Sequence, residues 1–248
     1  IEIVGDSTPR GPLSNQITMG ELKPNGKQER YITEINSKPA QKVKVTALIA
    51  GGGIAGSSLF MHMAKAGLEP TLINFGRGSS WRNIAGGRPA FSLPEIAEIA
   101  TRSNEQFKQL QDISNIDYRP INYVNFAHDD KTYQALEASK AWSNAYMVDP
   151  KDFDKEISPF INPKLDLYKG ALITRDCWQA TPGKTVDLIR DLGVEHGGTV
   201  EEDSELISIH REGKEYVALV RNHKKEFIEY HTELFINALG GDADRYAK

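Results

Sequence analysis

Val43-Lys44-Val45-Thr46-Ala47-Leu48-Ile49-Ala50, running into Gly51-Gly52-Gly53-Ile54-Ala55-Gly56, is the stretch from which the fold of this chain is read. The apolar run predicts a strand. The glycines at 51, 53 and 56 follow it directly and fit G-x-G-x-x-G. A helix is expected from there to about Ala66, with Gly67 closing it and Pro70-Thr71-Leu72-Ile73-Asn74 forming a second strand. Strand, glycine turn, helix and strand in this order are the start of a Rossmann-type dinucleotide-binding unit. Gly51 permits the tight turn, Gly53 lets a pyrophosphate approach the backbone, and Gly56 lets the helix pack on the strand. Gly51, Gly53, Ile54, Ala55 and Gly56 are therefore the candidate phosphate contacts, because the first helical N–H groups lack acceptors and carry the positive end of the helix dipole.

Outward from that unit, Phe75 to Arg88 is a loop of small, basic and amide residues. Ser92-Leu93-Pro94-Glu95 reads as a capping box opening a helix, with Ile96, Ile99, Ser103, Phe107 and Leu110 on one face. A strand is expected from Tyr118 to Phe126, and helices from Lys131 to Trp142 and from Pro150 to Ile157. Thr181-Pro182 supplies an N-cap and first-turn pair for a helix ending at Gly193. Leu206 to His210, Tyr216 to Arg221 and Phe227 to His231 alternate between turn residues and predict an antiparallel meander. Leu234 to Ala238 is a last apolar strand, running into Leu239-Gly240-Gly241. The first 42 residues are polar and rich in Gly, Pro, Asn and Lys. They read as an extended arm or linker, with short strand-like stretches at Ile1 to Val4 and Tyr31 to Ile35.

Bulk properties narrow the function classes. A net charge of −4 on 248 residues gives no global attraction to nucleic acid or anionic membrane. No apolar run approaches the length of a membrane span. The single cysteine, Cys177, excludes an intrachain disulfide and a multi-cysteine metal site, and reads as a small buried apolar group. The histidines show no metal-ligand spacing, so no metal is expected. A cytoplasmic location is the reading compatible with this cysteine usage.

Four segments in this order resemble the FAD-dependent oxidoreductases of the D-amino-acid oxidase superfamily, of glycine oxidase and sarcosine oxidase type. They are the strand with its Gly51 to Gly56 turn, Ser79 to Gly87, Trp178 to Leu188, and Phe235-Ile236-Asn237-Ala238-Leu239-Gly240-Gly241-Asp242. The resemblance implies an α/β fold: a Rossmann-type FAD-binding domain with a β-meander and an inserted mixed α+β substrate domain. It assigns 43–80 and 183–248 to the FAD-binding domain and 81–182 to part of the substrate domain. It further implies that Ser80, Arg82, Asn83 and Gly87 run along the pyrophosphate toward the flavin, that Leu206 presents its backbone to the adenine, and that Gly240 approaches the cofactor. The family has Glu at the end of the second strand, where it takes the ribose hydroxyls. Here that residue is Asn74, whose amide oxygen accepts a hydroxyl proton without a charge.

The implied activity is oxidation of a C–N bond of an amino acid or amine by hydride transfer to FAD. Oxidation of a C–O bond, as in glycerol-phosphate dehydrogenases, is the alternative, and a non-catalytic FAD-binding subunit of a larger complex is a third reading. Arg88 is the candidate anchor for a substrate carboxylate, which a guanidinium grips in bidentate fashion. No acid or base is nominated. The resemblance also implies a further segment beyond Lys248, carried by a longer chain or by a partner.

Overall fold

The computed structural model describes residues 39, 41–91, 93–140, 144–159 and 165–246. In chain order its strands are β1 Gln41–Lys44, β2 Leu48–Ala50, β3 Thr71–Ile73, β4 Gly86–Gly87, β5 Arg119–Ala127, β6 Ala145–Val148, β7 Gly170–Gln179, β8 Thr199–Glu201, β9 Glu205–Glu212, β10 Glu215–Arg221, β11 Phe227–Thr232 and β12 Phe235–Asn237. Its helices are α1 Ile54–Lys65, α2 Pro94–Ile113, α3 Asp130–Ser139, α4 Phe153–Glu156 and α5 Pro182–Glu195. They form two compact units, one of residues up to Arg82 together with Ile189 onward, the other Asn83–Leu188. The stretches Ile1 to Val4 and Tyr31 to Ile35 lie outside the described residues.

The first unit contains a parallel sheet in the order β12-β2-β3-β8 and a second sheet in the order β1-β11-β10-β9. The run Val43 to Ala50, expected as one strand, is two. β1 pairs with β11, and β2 pairs with β12 and β3. The chain changes sheets between them: the Val45 amide donates to the His231 carbonyl and the Leu48 amide to that of Leu234, each at 2.9 Å. β1 also begins earlier than expected, because Gln41 and Lys42 enter the ladder of β11.

Period-two alternation then divides the faces of the short parallel strands. Leu48, Ala50 and Ile73 point into a cluster with Leu206, Ala218, Val220 and Tyr230 of the meander. Ile49 and Leu72 point the other way and pack with Phe60 and Met63 of α1. A three-residue strand such as β2 is thus buried on both faces, as parallel strands generally are.

The second unit is organised around β7, which pairs antiparallel with β4, β5 and β6. Helix α2 buries only the later part of the expected face, where Ser103 and Phe107 are half-buried and Leu110 is buried. Ile96 and Ile99 are 42% and 64% exposed, while Asn104 and Leu110 are buried. Two partners set that inner face: the Tyr118 hydroxyl donates to Asn104 Oδ1 at 2.7 Å, and the Phe107 ring lies 4.0 Å from that of Trp178. The N-cap of α2 is Leu93, without a side-chain cap bond, and Ser92 lies outside the described residues. Asp129 caps α3 by accepting the Thr132 amide at 2.7 Å. The expected helix from Pro150 to Ile157 is a 3₁₀ turn followed by the single turn of α4. Among the described residues no helix is long and apolar enough to cross a membrane.

Candidate cofactor turn and substrate pocket

The turn after β2 is held from several sides. The Gly51 amide donates to the Ile73 carbonyl at 2.9 Å, and the buried Ser57 hydroxyl donates to the Gly52 carbonyl at 2.9 Å. Gly51 has φ +110, a conformation that side chains rarely adopt, and a Cβ there would collide with the Ala238 carbonyl. A Cβ at Gly56 would collide with the Gly51 carbonyl, so this glycine sets how closely α1 approaches β2. Gly53 is the N-cap of α1, and a Cβ on it would sit 3.0 Å from Ser80 Oγ.

Ser80 Oγ accepts the Ile54 amide at 2.9 Å, which satisfies one donor of the first turn. The Ala55 and Gly56 amides have no acceptor inside the helix. No acidic side chain occupies that turn. An anion placed there meets the helix dipole without a competing carboxylate. Beside Ser80, the indole Nε1 of Trp81 is buried without a hydrogen-bond partner among the described residues. A buried donor left unpaired costs about 1–3 kcal/mol, so this atom suits an acceptor brought by a ligand. Ser79–Trp81 form a 3₁₀ turn, and Arg82, which caps its end, is exposed.

Asn74 follows β3 and is buried. Its side-chain nitrogen donates to Glu202 Oε2 at 2.7 Å. Arg190 of α5 pairs with the other carboxylate oxygen of Glu202, and its guanidinium lies 5.5 Å from the centre of the Trp81 ring. Leu206 points its side chain into the core, and its carbonyl accepts the Tyr246 hydroxyl at 2.7 Å. Gly240 has φ +61 and open space around it, so it is required for its backbone angle. Asn237 ties this strand end together. Its Nδ2 donates to the Ala243 carbonyl at 2.7 Å and its Oδ1 accepts the Leu239 amide at 3.3 Å.

In the second unit, Asn83 Oδ1 accepts the Ala85 amide at 2.5 Å and turns the chain into β4. Gly87 pairs with Trp178, and a Cβ on it would collide with the indole ring. Arg88 follows. Its guanidinium stands 5.1 Å from the centre of the Phe91 ring and 5.8 Å from that of Tyr123. It opens onto a cavity of about 530 Å³ lined by Gly86, Gly87, Phe91, Ser103, Tyr123 and Trp178. Arg88 also lines a smaller cavity of about 160 Å³, with Asn125 and Thr174. Burial pushes the Cys177 thiol up from its ordinary value, and the Sγ lies 3.4 Å from the Thr174 carbonyl, as befits a packed side chain.

Nothing in the sequence pattern pairs Asn74 with Glu202, or Glu202 with Arg190. Glu202 lies in the run Glu201-Glu202-Asp203, which reads as a solvated turn. Only the pairing of β3 with β8 places it beside Asn74.

The family described as FAD dependent oxidoreductase (DAO) matches residues 46–248. No curated protein sequence matches the chain. Among solved structures the chain is similar to L-proline dehydrogenase from P. horikoshii, with 23% identity and a TM-score of 0.70 over 82% of this chain and 55% of that one. It is similar to glycine oxidase from Bacillus cereus ATCC 14579 at 15% identity and a TM-score of 0.65, covering 82% of this chain and 58% of that one. A third similar structure is L-alpha-glycerophosphate oxidase from Mycoplasma pneumoniae with FAD bound, at 15% identity and a TM-score of 0.61, covering 79% and 54%. The chain therefore spans little more than half the length of these relatives. The match over residues 46–248, on a fold whose glycine turn opens α1 beneath a parallel sheet, means that the chain belongs to the DAO family of FAD dependent oxidoreductases, whose cofactor is FAD.

Proposed function

We propose that the chain is the cofactor-binding part and a portion of the substrate-binding part of an enzyme that oxidises a C–N bond of an amino acid or amine. The observation that carries this reading is Arg88, an exposed guanidinium between two aromatic rings at a cavity of about 530 Å³. A cation so placed grips a carboxylate in bidentate fashion, and the rings of Phe91, Tyr123 and Trp178 cover the apolar remainder of the ligand. Similarity to L-proline dehydrogenase and glycine oxidase supports an amino or imino acid as the substrate class.

The residues of the first unit fit FAD: a glycine cradle where a Cβ at Gly51 or Gly56 would collide with backbone, the Ala55 and Gly56 amides without acceptors inside the helix, and a buried indole N–H suited to an acceptor. In this reading the Gly51 to Gly56 turn binds the pyrophosphate, with Ser80 and Arg82 beside it and Asn83 and Gly87 on the way to the flavin. Leu206 and Gly240 complete the set proposed to line the cofactor. When bound, the flavin supplies the acceptor for the hydride. The chain binds and orients, and Arg88 fixes the substrate carboxylate.

A second reading is oxidation of a C–O bond, favoured by the similarity to L-alpha-glycerophosphate oxidase. A phosphate would then take the place of the carboxylate at Arg88.

The test is anaerobic reduction of the flavin in the full-length protein by panels of amino acids, imino acids, amines, hydroxy acids and phosphorylated polyols. Bleaching by amino or imino acids supports the proposal, and Arg88→Ala is then expected to raise the half-saturating concentration by roughly 10- to 100-fold, the loss of a charge-assisted hydrogen-bond pair. Bleaching by hydroxy or phosphorylated substrates alone overturns it in favour of the second reading.

A further inference from the structure

β2, β3 and β8 are neighbours in one parallel sheet, and the residues past their ends share one edge. β2 ends in the glycine turn. Asn74 follows β3 and Glu202 follows β8, each one residue beyond the paired Ile73 and Glu201. A ligand bound at the carboxyl ends of such strands runs from one strand end to the next.

At the ribose position, one strand over from the turn, a dinucleotide site uses a carboxylate that accepts from both hydroxyls. This chain has an amide there. The Asn74 amide is 8% exposed, and its nitrogen is committed to Glu202 at 2.7 Å. The Glu202 side chain is 52% exposed. A carboxylate has about four lone-pair positions. Asn74 and Arg190 each engage one oxygen of Glu202, which leaves both oxygens able to accept again. The Arg190 side chain is only 12% exposed and lies against the Trp81 ring, so the clamp on Glu202 is itself anchored.

We infer that Glu202 is the carboxylate that receives the adenosine ribose hydroxyls, and that Asn74 and Arg190 are positioning residues that hold it. The acid has moved from the end of β3 to the end of β8, and Asn74 has become its donor. This inference rests on the FAD reading above.

The experiment is titration of the flavin-free full-length protein with FAD and with an FAD analogue whose adenosine carries 2′-deoxyribose, followed by flavin fluorescence. Wild type is expected to prefer FAD. Glu202→Gln is expected to bind FAD about 10-fold more weakly or worse and to lose the preference for it over the deoxy analogue, with unchanged circular dichroism. Asn74→Asp distinguishes the two assignments. If Glu202 is the ribose ligand, a second carboxylate repels it and removes its donor, so FAD binding weakens. If Asn74 itself met the ribose, Asn74→Asp would tighten FAD binding. A Glu202→Gln variant that keeps the wild-type preference, or an Asn74→Asp variant that binds FAD more tightly, overturns the inference while leaving FAD as the ligand. A wild-type chain that takes up neither flavin overturns the FAD reading and this inference together.

Discussion

The indole of Trp178 lies on the Cα of its strand partner Gly87, so closely that a single added carbon has no room. The same ring is 4.0 Å from Phe107 and 5.9 Å from Tyr118, and one of its faces lines the cavity beside Arg88. The glycine is thus the floor on which an aromatic wall of this cavity rests.

Gly87→Ala is expected to push this ring aside, with an overpacking cost of about 1–3 kcal/mol. Denaturant unfolding and the tryptophan emission spectrum together check it. A variant with wild-type stability and emission would mean that the ring does not rest on this glycine.

At Gly51 both backbone angle and space exclude a side chain. Gly51→Ala combines a strained left-handed backbone, about 1–3 kcal/mol, with displacement of the Ala238 carbonyl. The purified variant is expected to unfold at lower temperature and to retain less FAD than wild type. Thermal unfolding and the flavin-to-protein absorbance ratio measure the two effects.

Phe60 is fully buried on α1, and its ring touches the positions where Gly193 and Gly198 would carry a Cβ. Two glycines leave the space that one aromatic ring fills. Phe60→Ala leaves a cavity of phenyl size and is expected to cost about 3–5 kcal/mol in equilibrium unfolding by urea. A loss below about 1 kcal/mol would show that the site collapses around the smaller side chain.

Tyr230, 4% exposed, has its phenol pushed up to about 12, chiefly by burial and then by the charge of Glu201. The folded pKa lies above the ordinary 10.0 of a free phenol, so the folded state holds this proton after the unfolded state has lost it. The contribution to stability is therefore complete below pH 10 and falls as pH rises toward 12, by about 3 kcal/mol in all. Unfolding free energy measured across that window should show the decline, and Tyr230→Phe should flatten it.

The local elements of the first unit are legible in the sequence, because each depends on its own residues. G-x-G-x-x-G needs no distant partner to bend the chain, the Gly51 to Gly56 turn opens α1 as read, and the three meander strands alternate with a period of two around clear turn residues. β7 escaped the reading. Ala171, Leu172 and Ile173 are buried in succession, because paired strands flank them on both sides, and Arg175 and Asp176 then break the apolar run at a bulge where Asp176 has φ +59. The outward Ile96 and Ile99 of α2 misled for a related reason: periodicity names an apolar stripe along the whole helix, but its partners cover only the later part, where Asn104 meets Tyr118 and Phe107 meets Trp178.

The sequence by itself determined the turn chemistry at Gly51, Gly53 and Gly56, the meander and the family, since these are properties of contiguous residues. Tertiary structure alone decided that Val43 to Ala50 splits between two sheets, that Trp178 rests on Gly87, and that Glu202 stands beside Asn74. Each of these joins residues far apart in the chain, and strand order, which no local pattern encodes, brings them within hydrogen-bonding or van der Waals distance.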